Sequence, residues 1–89
     1  MKKETVAQIT IEIGVILDTL RHLKDNIRAQ DNKVEEMKRV YPNSPEWVAK
    51  ERGILLGYEI VQAYIRGWLK ARRRSRQIVR SCEAVMEVT

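Results

Sequence analysis

Apolar residues recur through the first part of the chain at alternating steps of three and four. Val6, Ile9, Ile13, Ile16, Leu20, Leu23 and Ile27 lead, through Gln30, to Val34, Met37 and Tyr41. This is the a/d rhythm of a heptad repeat, an apolar stripe along one side of an α-helix. Gln30 is its only polar member, and glutamine is a good helix former, so the interruption is mild. A period-two run from Ile9 through Ile11, Ile13 and Val15 to Leu17 gives a strand a local foothold. That alternation ends at Thr19, whereas the heptad register continues to Tyr41, and the longer pattern predicts a helix over about residues 3–41. An alternative break near Ala29 is suggested by the polar run 30–33 and by Asn32 and Glu35, which stand at capping-box spacing. The unbroken register favours continuity. Ile11, Val15 and Leu17 widen the apolar face near the start, a width suited to more than one helical neighbour.

Tyr41-Pro42-Asn43-Ser44-Pro45 is the one strong punctuation. Pro42 disfavours helix at Tyr41. Ser44 suits an N-cap, Pro45 the first helical position, and Glu46 the positive end of a helix dipole. A turn over residues 42–44 and a second helix over about 45–86 are predicted. Trp47, Ile54, Tyr58, Val61, Ile65 and Trp68 form the expected seam of that helix, with Glu51 as its polar interruption. Beyond Trp68 the rhythm passes to Tyr64, Trp68, Ala71, Ser75, Ile78, Cys82 and Val85. The step through Ile65, Trp68 and Ala71 resembles a stammer, with a bend or break near Arg72–Arg76 as the alternative. Gly53 and Gly57, and Ala63, Gly67 and Ala71, stand four apart; they either admit a close neighbouring helix or are simply tolerated.

A connection this short between long helices implies an antiparallel all-α helical hairpin, one domain over residues 1–89. Two helices bury little of so short a chain. Self-association is therefore expected, most simply a four-helix bundle from two chains, with Ile54, Tyr58, Val61, Ile65, Trp68 and Ile78 joining the seam of the first helix.

Charge sharpens the picture. The net charge is +5, and the excess is C-terminal: residues 1–45 hold eight Lys/Arg against seven Asp/Glu, residues 46–89 nine against five. Between Glu59 and Glu83 there is no acid, only Arg66, Lys70, Arg72, Arg73, Arg74, Arg76 and Arg80. On a helix Arg66, Lys70, Arg73 and Arg80 share one stripe with Gln77, opposite the later apolar seam. The planar guanidinium fork matches phosphate oxygens. The block therefore points to nucleic acid, or else to an acidic surface on another protein that this chain would serve as adaptor or inhibitor; a merely solvated charged face is the plain reading. Trp68 and Tyr64 lie on the apolar seam and are better explained by packing than by base stacking.

Other chemistry finds little footing. The chain has one His, no Gly-rich phosphate loop and no Cys–His–acid set, so neither an enzyme nor a cofactor is expected. Asp18, His22 and Asp25 share a helix face, but a surface pair of Asp18 with His22 is favoured over a metal site. Cys82 is expected as a small buried hydrophobe, and a lone cysteine suits a reducing, cytoplasmic setting. No window reaches the roughly 18 apolar residues of a membrane span, and acids interrupt the N-terminal stretch as a signal peptide. Membrane-surface binding by the basic amphipathic helix is disfavoured, because the first helix offers a seam to cover the same face.

Overall fold

The computed structural model describes residues 4–88 and the side chains of residues 4–86. Two helices, α1 (Val6–Val40) and α2 (Pro45–Val88), pack antiparallel as a hairpin. The hairpin is a rod of 72 × 19 × 15 Å. Its radius of gyration of 20.1 Å far exceeds the ~12 Å of a compact chain of this length, so every core residue lies in a single seam between the two helices.

The start of α1 is set by chemistry next to its first apolar residue. Thr5 accepts from the backbone N–H of Gln8, and the Gln8 side chain accepts from the backbone N–H of Thr5. This reciprocal capping box satisfies two of the orphan donors at the helix end. Lys3, the expected start, lies outside the described residues, but Glu4 and Thr5, also expected in the helix, stand before α1, Thr5 as an extended N-cap. The helix runs without a break through 30–33, so the Asn32–Glu35 cap is not used. At the elbow Tyr41 donates to the Met37 carbonyl, and Ser44 caps α2 through its carbonyl, which accepts from Trp47 and Val48. The rings of Tyr41 and Trp47 meet edge-to-face at 5.0 Å between centroids. α2 is likewise continuous through Arg72–Arg76 and extends past the level at which α1 begins.

The α1 seam is the one read from the heptad as far as Met37; Tyr41, its last expected member, lies past the end of the helix and is exposed. Ile9, Ile13, Ile16, Leu23 and Val34 are buried, and Val6, Leu20, Ile27, Gln30 and Met37 half-buried. Burying one such aliphatic side chain stabilises by about 1.5–3 kcal/mol. Ile9, Ile13 and Ile16 cluster with Leu69, joined by Leu20, Ile65 and Val79.

The α2 seam differs from expectation. Val48, Glu51, Leu55, Tyr58, Gln62, Ile65, Leu69, Arg72, Arg76 and Val79 face α1, all buried or half-buried and in unbroken three–four rhythm. Of the expected seam only Tyr58, Ile65 and the polar interruption Glu51 belong to it. Ile54, Val61, Trp68 and Ile78 are exposed, as are Trp47 and Cys82. No stammer is required, because the true register never shifts. The expected series mixed two registers one residue apart, and the more polar of the two is the one that meets α1.

Candidate nucleic-acid interface

The seam divides the hairpin into two flanks of opposite character. Residues one position after each seam residue lie on one flank. On α2 these and their outer neighbours include Arg52, Arg66, Lys70, Arg73 and Arg80, and on α1 Arg21, Lys24 and Arg28. A groove between the helices confirms the shared side: Leu17, Leu20, Arg21 and Lys24 of α1 line it together with Gln62 and Arg66 of α2. The opposite flank is reached from residues one position before the seam, and on α2 it carries Trp47, Ile54, Val61, Tyr64, Trp68 and Ile78.

The seven cations read from the sequence are therefore not one site. Arg66, Lys70, Arg73 and Arg80 are exposed on the basic flank with Gln77, as their spacing predicted. Among the described residues, none of the four has a carboxylate within ion-pairing distance. With a rise of 1.5 Å per residue, Arg66, Arg73 and Arg80 stand about 10 Å apart along a straight rod. Arg74 is exposed on the back of α2, and Arg76 is half-buried at the seam.

Arg72 is the clear departure. Its side chain is 16% exposed and turned inward, Nη2 lying 3.0 Å from Glu4 Oε1 and Nε 2.8 Å from Glu12 Oε2. It is a cross-link between the helices and is not available to a partner. The reason lies on α1, where Glu4 and Glu12 flank the seam at the level that Arg72 reaches. Sequence reasoning about α2 alone does not contain that information.

The polar seam positions of the two helices also meet. Gln30 Nε2 donates to Glu51 Oε2 at 2.6 Å and to the Glu51 carbonyl at 3.0 Å, and Lys33 Nζ stands 3.6 Å from Glu51 Oε1. The hydrogen bond from Gln30 holds the Glu51 carboxyl below its ordinary pKa, with Lys33 acting in the same sense and burial opposing them. His22 contacts both the carbonyl and, at 3.7 Å, the carboxylate of Asp18, the surface pair expected from their spacing.

Sequence reasoning missed the α1 contribution to the basic flank. Arg21, Lys24 and Arg28 repeat at steps of three and four, which is a legible stripe, but only the pairing of the helices puts it beside Arg66. The fold thus defines a class, a two-helix antiparallel rod with one flank rich in cations and, on the other, an exposed apolar face borne by α2. Comparison with protein families, curated proteins and solved structures finds no match. Among the described residues no helix is long and apolar enough to cross a membrane.

Proposed function

We propose that this chain is a small, non-enzymatic, cytoplasmic helical protein that associates with itself and binds nucleic acid through its basic flank. The observation that carries the reading is the convergence of cations from both helices. Arg66 meets Arg21 and Lys24 across the groove, and Lys70, Arg73 and Arg80 continue the stripe, all four α2 cations unpaired with carboxylates among the described residues. Exposed guanidinium groups with no internal partner keep their donors free for phosphate oxygens. A straight cationic rod suits the regular backbone of a duplex, and phosphate contacts of this kind position a protein without reading base sequence. Trp47, Tyr64 and Trp68 stand on the other flank, Tyr58 in the seam and Tyr41 at the elbow, so base stacking does not enter.

The test is binding of a fluorescent duplex by wild type and by the variant with Arg66, Lys70, Arg73 and Arg80 all changed to Glu. The logarithm of the wild-type binding constant should fall linearly with the logarithm of salt concentration, and each single Ala substitution on the stripe should lower the slope by about one. The fourfold variant should lose binding while keeping its helix content. Retained binding by that variant excludes the reading. Partners that survive nuclease treatment of a lysate, with no affinity for duplex or RNA, assign the flank instead to an acidic protein surface.

A further inference from the structure

The apolar flank of α2 is as regular as the buried seam. Starting at Trp47, positions recur at steps of three and four as far as Ile78, one residue out of phase with the seam, and every one except half-buried Ser75 is exposed. Six large apolar side chains lie on it, between 41% and 79% exposed. At roughly 150–250 Å² for a whole aromatic side chain, together they leave on the order of 700 Å² of apolar surface per chain, close to the ~800 Å² per partner of a specific dimer. Heptad spacing on an exposed helix face calls for another helix as its cover, since knobs fit holes only when the partner repeats likewise.

We infer that the occupant is α2 of a second copy of this chain, packed antiparallel about a two-fold axis that passes between Gln62 and Ala63. In that register Val61 of one chain meets Tyr64 of the other, and Trp68 meets Gly57. Ile54 meets Ala71, Trp47 meets Ile78, and Lys50 meets Ser75. Trp68 and Ile54 face small residues, Val61 with Tyr64 and Trp47 with Ile78 are apolar pairs, and the single cation faces a hydroxyl. Around Gly57 the space is open, with nothing within 4 Å of where a Cβ would stand, so the indole of Trp68 has room there. A parallel pair is far worse. It sets Lys50 against Lys50, Trp68 against Trp68 and Gly57 against Gly57, which combines like-charge repulsion, overcrowding and a void. The two-fold arrangement turns both basic flanks outward, away from each other, so the +5 charge of each chain opposes association least. This gives the self-association proposed above a definite surface and register and stands apart from the nucleic-acid contact.

Sedimentation equilibrium without nucleic acid tests it. Wild type should be dimeric at micromolar concentration. Val61→Glu and Trp68→Glu, both at positions exposed in the hairpin, should be monomeric, with dimerisation at least tenfold weaker and helix content by circular dichroism unchanged. Register is read in a Cys82→Ala background by mild oxidation of single cysteines. Val61→Cys and Tyr64→Cys, beside the axis, should form disulfide-linked dimers. Trp47→Cys should not, because its two copies would stand about 46 Å apart along the rods. A monomeric wild type, a dimer that survives both Glu substitutions, or cross-linking at Trp47→Cys as efficient as at Val61→Cys overturns the inference. With no nucleic acid in the assay, such a failure leaves the phosphate-binding reading untouched, and failure of that reading leaves this one untouched.

Discussion

The side-chain amide of Gln30 donates to both the carboxylate and the main-chain carbonyl of Glu51, joining the single polar position of the α1 seam to an acid buried to 8% exposure on α2. A slip of one heptad between the helices would part the two groups and set the Glu51 carboxylate against Leu23 or Met37. A buried polar pair of this kind specifies register at some cost in stability.

Removing one partner should therefore be worse than removing both. Gln30→Leu leaves the Glu51 carboxylate with Lys33 alone and should lower the thermal midpoint by roughly 5 °C, the scale of one lost hydrogen bond in a domain of this size. The double variant Gln30→Leu with Glu51→Leu should melt at or above wild type, yet with broader, less uniform NMR resonances because the register is no longer pinned. Thermal melts followed by circular dichroism, with two-dimensional spectra of each variant, check both parts.

Acid should weaken the hairpin through the same pair. Glu51 titrates below its ordinary value of 4.5 in the folded state because Gln30 and Lys33 favour the carboxylate. Between the folded and unfolded values the unfolded chain binds more protons, so stability rises with pH there. The contribution is complete above the unfolded value and disappears as pH falls through the lower folded one. Melts between pH 7 and pH 2 should show wild type losing stability in that window, and Gln30→Leu, with the main cause of the shift removed, losing less.

Adjacent arginines should behave oppositely. Arg72→Ala removes the link to Glu4 and Glu12 along with the packing of the arginine stem, and should lower the melting midpoint by several degrees. Arg74→Ala, on the exposed back of α2, should leave the midpoint within error. In duplex binding, Arg73→Ala should weaken affinity more than Arg72→Ala does. Melting curves and salt titrations on the three variants separate the structural arginine from those facing solvent.

Much of the fold was legible because its signals are local. The α1 stripe from Val6 to Ile27 needed only the three–four spacing. The elbow needed only two prolines, an asparagine and a serine, and the exposed stripe of Arg66, Lys70, Arg73 and Arg80 needed only helical periodicity. The Thr5–Gln8 capping box is equally local, a threonine three residues ahead of a glutamine. The α2 seam is not legible from local signals. The buried register carries Glu51, Gln62, Arg72 and Arg76, whereas the adjacent one carries Trp47, Ile54, Val61 and Trp68, so hydrophobicity alone favours the wrong one of two adjacent registers.

The sequence by itself determined that this chain forms two long helices joined at a short elbow, because heptad periodicity, proline placement and caps act within a few residues of one another. Only the tertiary structure decided which side of α2 turns inward. In that arrangement Gln30 meets Glu51, and Glu4 and Glu12 meet Arg72, pairs far apart along the chain whose polar and charged groups come together in one register and are separated in the other.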